Sequence, residues 1–138
     1  MPKKRSGPAD YSSGGDGMTP SARRRVLRDG ARANELRDRA FRQIVLSIPP
    51  GKVSTYGRVA AAAGYPQYHR AVARLLRTDP PDSLPWHRVL GTGGEIKLPG
   101  EAAVEQRARL RMEGVSFRGD RVDMEVCEHR LRSWEALD

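Results

Sequence analysis

With 138 residues, 38% of them hydrophobic, the chain has material for one small core, and 25 Lys+Arg against 17 Asp+Glu give a net charge of +8. Such a balance favours a polyanionic partner, nucleic acid or an anionic membrane surface, and does not choose between them. The single cysteine, Cys127, excludes an intramolecular disulfide, no Cys/His cluster has zinc-site spacing, and no apolar run nears the roughly 20 residues of a spanning helix.

Residues 1 to about 20 are rich in Ser, Gly, Pro and charge, a composition that reads as a flexible tail with no apolar leader segment, and the expected setting is reducing and cytoplasmic. Between Arg23 and Arg39 lie seven arginines, and Val26, Leu27 and Leu36 give only a sparse apolar pattern, at best a marginal helix. Residues 1–39 hold ten basic and five acidic groups, against fifteen and twelve in 40–138. The positive excess of this basic flexible extension can add phosphate attraction without reading sequence.

From Ala40 the pattern tightens, with Phe41, Ile44, Val45 and Ile48 at helical spacing before Pro49-Pro50-Gly51 stops the helix, so 40–138 is expected to be the folded domain. Ser54 or Thr55 can cap a short helix running through Ala63 to Gly64, and Pro66 separates it from a second helix over about Gln67–Arg77. The pair suggests helix-turn-helix. On the second helix Arg70, Arg74 and Arg77 oppose Val72, Leu75 and Leu76. The arginine face is either a solvated surface or a DNA-binding one.

Gly91-Thr92-Gly93-Gly94 reads as a tight connection into a strand near Glu95–Leu98, a wing beside the helices. A helix over about Ala102–Glu113, closed by Gly114, precedes a strand or extended segment from Val115 to Val126, and Trp134 is expected in the core or as a packing anchor. The fold class expected is mostly α with a small β wing, a winged helix-turn-helix-like domain.

Four segments in order, Ile48-Pro49-Pro50-Gly51-Lys52-Val53-Ser54-Thr55-Tyr56-Gly57, His69-Arg70-Ala71-Val72, Pro85-Trp86-His87-Arg88-Val89 and Glu113-Gly114-Val115, resemble the motifs of the O6-alkylguanine-DNA alkyltransferase C-terminal domain. In those enzymes the Pro-x-His-Arg-Val motif carries cysteine at x, whose thiolate takes the alkyl group. Here x is Trp86, and indole offers no accessible anion at neutral pH. The substitution is similar to that of the alkyltransferase-like proteins, which share the enzymes' fold and DNA binding and repair nothing themselves.

The resemblance implies a monomeric, non-enzymatic binder of O6-alkylguanine in double-stranded DNA. It would flip the nucleotide from the minor groove, need no cofactor or metal, and mark the lesion for the damage-recognition proteins of nucleotide excision repair. It casts Arg70 as the finger replacing the extruded base, Tyr56 as the group pressing on the 3′ phosphate and Ala71 as a small residue permitting close approach. Ser54, Thr55 and Arg74 join them on the DNA side. Trp86, His87, Arg88, Val89, Lys97, Pro99 and Glu113 are assigned to the lesion pocket, with Trp86 offering a π-face for stacking and His87 and Glu113 holding the wall by hydrogen bonds. Plain core roles remain open for Tyr56 and Trp86. Pro99 stands where some relatives place an arginine, and Asp79 where the enzymes carry an asparagine that braces the segment before the motif, a turn Asp can also make. Two other functions stay open: a suicide alkyltransferase using Cys127, and a winged-helix regulator without lesion specificity.

Overall fold

The computed structural model describes residues 18–137, so most of the tail segment, residues 1–17, lies outside the described residues. Helix α1 (Pro20–Leu46) takes in the whole arginine-rich stretch, which is helical from Pro20 onward. The backbone forms two units, Met1–Glu35 and Leu36–Asp138, and the second contains both hydrophobic clusters.

In that second unit the last turns of α1 bury Ala40, Phe41, Ile44 and Val45, the residues at helical spacing, and Ile48 follows them into the core. After the Pro49-Pro50-Gly51 turn come β1 (Ser54–Thr55) and α2 (Tyr56–Ala62). Thr55 is the N-cap, its Oγ1 accepting from the Arg58 N–H at 3.1 Å. Gly64, at φ +95°, ends α2 in the left-handed conformation, and the Tyr65 N–H closes the turn on the Ala60 carbonyl at 2.8 Å. Helix α3 (His69–Thr78) packs on α2 through Val72 and Leu75.

A single turn of 3₁₀ helix, Trp86–Arg88, leads into β2 (Val89–Leu90), which pairs in parallel with β1, Ser54 opposite Val89 and Thr55 opposite Leu90. Strand alternation divides the interior: Val89 faces the cluster of α1, α2 and α3, while Leu90 faces a second one of Val53, Leu110, Val115, Val122 and Cys127. Helix α4 (Gly100–Met112) supplies Leu110, and a hairpin of β3 (Phe117–Arg118) and β4 (Arg121–Val122) turns at Gly119, φ +61°. The one-turn α5 (Met124–Cys127) then returns the chain to Val53, whose N–H donates to the Cys127 carbonyl at 2.9 Å.

Three expectations need correction. Glu95–Leu98 is not a strand: Thr92–Gly94 form a 3₁₀ turn with Gly93 and Gly94 at φ +74° and +88°, and Glu95 makes only isolated bridges to Gly91 and Arg121. The next residues run irregularly to Pro99, which lacks an N–H for a ladder and caps α4. The wing is instead the β3–β4 hairpin, and a one-turn helix replaces the end of the extended segment expected up to Val126. Trp134 is no core residue, being 41% exposed on a terminal 3₁₀ turn. Among the described residues no helix is long and apolar enough to cross a membrane.

Phe41 is fully buried and meets Tyr65 edge-on at 5.8 Å, joining α1 to the α2–α3 turn. Phe41→Ala is expected to lower unfolding stability by about 3–5 kcal/mol in chemical denaturation, the range for deleting a core aromatic.

Candidate nucleic-acid interface

The α2–α3 turn is clamped from α1. The Arg37 guanidinium lies 5.8 Å from the Phe41 ring centre and 5.5 Å from that of Tyr68, and Tyr65 and Tyr68 pack edge-on at 5.6 Å. At the far end of α3, Arg42 of α1 makes a two-pronged ion pair with Asp79, Nε to Oδ2 at 2.8 Å and a terminal nitrogen to Oδ1 at 3.1 Å. The hydrogen bond from Arg42 holds the Asp79 carboxyl below its ordinary range, against the opposing effect of burial. Asp79 therefore anchors α3 to α1 through its charge, and is not the turn-forming group expected from the sequence.

With both ends of α3 fixed, Arg70, Ala73 and Arg77 face a hollow of about 690 Å³, closed on other sides by Tyr56 at the head of α2 and by Lys97-Leu98-Pro99. The hollow is in the size range of a small-molecule pocket and open to solvent along the exposed arginines. Burial pushes the Tyr56 phenol up, partly opposed by Arg77, so the hydroxyl stays protonated at neutral pH and can donate to an anionic oxygen. Lys97 crosses the floor: a Cβ at Gly91 would lie 2.7 Å from its aliphatic stem, and its ammonium sits 3.8 Å from Glu95.

Of the residues expected at the site, Tyr56, Arg70, Lys97 and Pro99 converge on this hollow. Ala71 is half-buried against the core cluster, Ser54 is buried in β1, Thr55 is spent on the cap, and Arg74 is exposed beside the hollow and not in its lining. Arg77, on the arginine face read from the sequence, and Leu98 also belong to the lining, as do Ala73, Thr92 and Glu95, none of them assigned to the site from the sequence. Arg77 was readable, since it follows Arg70 by two helical turns.

The Trp86 group divides differently. Trp86 does not line the hollow; its indole is half-buried, edge-on to His87 at 6.0 Å, with the Arg109 guanidinium 5.3 Å from its ring centre. Arg109 is itself held by Glu105 at 2.7 Å and Asp82 at 3.0 Å. Val89 is fully buried in the core and presents no surface.

His87, Arg88 and Glu113 form a largely buried ionic knot outside the lining of the hollow. Arg88 donates to Glu113 at 3.0 and 2.7 Å and to the Ile48 carbonyl at 2.9 Å; the Gly51 N–H reaches Glu113 at 3.3 Å, and His87 Nε2 lies 2.9 Å from Oε2. Burial raises the Glu113 carboxyl, but Arg88, His87 and Gly51 outweigh it and bring it down to about 2. Burial lowers His87, with Glu113 opposing only in part, so the imidazole is neutral at pH 7. Its Nε2 then carries the proton given to the carboxylate, leaving Nδ1 as a buried acceptor without a partner. Cys127, the thiol of the suicide-transfer alternative, is buried, accepts a weak hydrogen bond from the Ser116 N–H at 3.4 Å, and lies outside the hollow. Among the described residues no group of three potential metal ligands is assembled.

Residues 37–115 match the family described as "6-O-methylguanine DNA methyltransferase, DNA binding domain". The chain is 45% identical over 73 residues to a DNA base-flipping protein of Vibrio parahaemolyticus, an alignment covering 52% of this chain and 73% of that one. It is 47% identical over 78 residues to a DNA base-flipping protein of Escherichia coli, covering 56% and 60% respectively. Among solved structures, S. pombe Atl1 in complex with damaged DNA containing O6-carboxymethylguanine superposes with a TM-score of 0.62 at 31% identity, covering 70% of this chain and 96% of that one.

The ionic knot gives stability a definite pH dependence. A histidine lowered by folding withdraws stability as pH falls below its unfolded value of 6.5, and Glu113, lowered from 4.5 to about 2, withdraws more between those two values. Acid titration of Glu113→Gln, followed by urea unfolding, should show lower stability at pH 7 by on the order of 3 kcal/mol and a shallower decline below pH 4.5, because Arg88 is left unpaired at every pH.

Proposed function

The chain belongs to the family of the 6-O-methylguanine DNA methyltransferase DNA-binding domain, and from that premise we propose that it binds O6-alkylguanine in double-stranded DNA, flips the nucleotide and holds it without removing the alkyl group. The observation that carries this reading is the hollow bounded by Tyr56, Arg70 and Lys97-Leu98-Pro99 beside the head of α3. An alkyl group on O6 of a stacked guanine is hard to reach, so a recognising protein must extrude the base, fill the gap it leaves and receive it in a pocket. Arg70, exposed in the first turn of α3, is the gap-filling group. Tyr56, protonated and at the hollow's edge, presses the flanking phosphate through a donated hydrogen bond. Leu98 and Pro99 offer apolar contact to the base, and Lys97 supplies a cation in the absence of an arginine at position 99.

No alkyl transfer accompanies binding in this reading. Trp86 stands at the motif position of the enzymes' thiolate, and the ionic knot of His87, Arg88 and Glu113 serves as scaffold. The Trp86 indole, packed against Arg109 and outside the hollow's lining, meets the base by turning toward the hollow when the nucleotide enters, and stacking of that kind is worth about 1–3 kcal/mol. A protein that holds a lesion without repairing it serves by marking it, and the natural recipients are the damage-recognition proteins of excision repair.

Binding to paired duplexes with and without one O6-methylguanine separates the roles. Arg70→Ala should weaken both complexes alike, whereas Trp86→Ala should erode chiefly the difference between them, by about tenfold at 1.4 kcal/mol of lost stacking. Equal losses from both variants on both duplexes would sink the flipping assignment.

A further inference from the structure

Helix α1 carries a pattern that composition alone does not reveal. Arg24, Arg28 and Arg32 repeat at i, i+4 and i+8, so they stand above one another on a single stripe of about 12 Å, with Arg25 on its flank. All four are exposed, and none forms an ion pair among the described residues. The acidic groups of this part of the helix, Asp29 and Glu35, also stay out of ion-pair distance of them. Like charges one turn apart oppose helix formation, so the stripe is a standing cost that an external anion relieves.

We propose that this stripe is a second DNA-binding surface, one that takes backbone phosphates outside the lesion pocket and reads no base. The proposal rests on the reading of the chain as a DNA binder. Duplex DNA carries about one negative charge per 1.7 Å of axis, so a 12 Å stripe meets several phosphates at once. Guanidinium suits this ligand because its planar fork engages two phosphate oxygens. Joined to a domain that already holds DNA, the stripe acts at high effective concentration and needs little affinity of its own. A membrane surface fits less well. The side of the helix away from the stripe offers Val26, 54% exposed, among Gly30, Ala33 and Asn34, with Leu27, 72% exposed, at its edge and no aromatic to seat in a bilayer interface.

The test is the salt dependence of binding by the full chain and by a triple variant, Arg24→Gln, Arg28→Gln and Arg32→Gln, on undamaged and O6-methylguanine duplexes. Each phosphate contact contributes about 0.9 to the slope of log K against log salt, so the variant should lose about 2 to 3 from its magnitude on both duplexes and keep the same lesion-to-normal ratio. A matching Arg→Lys triple, equal in helix content by circular dichroism, should keep the parent slope. An unchanged slope in the Gln variant overturns the proposal. So does an unchanged slope joined to loss of co-sedimentation with vesicles of phosphatidylglycerol and phosphatidylcholine, which assigns the stripe to membranes. A parent chain with no lesion preference, whose slope still drops in the variant, supports the stripe while removing the lesion reading.

Discussion

The carboxylate of Glu113 is the group on which the rest of the domain's geometry depends. It ends α4, yet it binds Gly51 in the turn after α1, His87 and Arg88 in the segment before β2, and through Arg88 the carbonyl of Ile48. One charge thus fixes three stretches far apart in sequence. Between them they set where β1 begins and where β2 runs, and the β1–β2 pairing sets where Tyr56 starts α2. Taking Glu113 and Arg88 out of water is costly, and the cost is offset only because nearly every donor and acceptor around them is used. The exceptions among the described residues are His87 Nδ1, with nothing to accept from, and the nearby Gln106 Oε1 and Ser54 Oγ.

Around this knot the site separates two physical tasks. The cations Arg70, Arg77 and Lys97 line the hollow, while Arg74 lies beside it on the exposed face of α3. Such groups attract a polyanion in a way that salt screens and that is indifferent to the identity of a base. The apolar rim of Leu98 and Pro99, with Tyr56, offers contact that salt barely touches, and in the proposed function it is there that a modified base is told from a normal one. The placement of Trp86 belongs to the same division. Its indole packs against Arg109 of α4, itself fastened to Glu105 and Asp82.

Local patterns carried much of the fold. The 3.6-residue spacing of Phe41, Ile44, Val45 and Ile48 gave the buried face of α1, and Thr55 and Gly64 marked both ends of α2, because caps and left-handed stops are written in single residues. Features formed by distant residues were not readable. Arg42 and Asp79 are 37 positions apart, and nothing in their own neighbourhoods marks them as partners. Glu95–Leu98 alternates as a strand would, but its bridges to Gly91 and to Arg121 of β4 stop at Glu95 and Pro99 cannot extend a ladder, so the chain stays irregular there. The site was legible as a set of motifs and less so as a surface. Tyr56, Arg70, Lys97 and Pro99 meet in space, whereas Val89 is core and His87 and Glu113 pair with each other outside the lining, a distinction that depends on which way each side chain points once packed.

The central claim is that this domain recognises an alkylated guanine and leaves it chemically unchanged. The most direct measurement is equilibrium binding of the full chain to matched short duplexes with and without one O6-methylguanine, followed by the intact mass of the protein from the same samples. The account predicts tighter binding to the lesion with no change in mass. Equal affinity for both duplexes, or a gain of one methyl group, would contradict it.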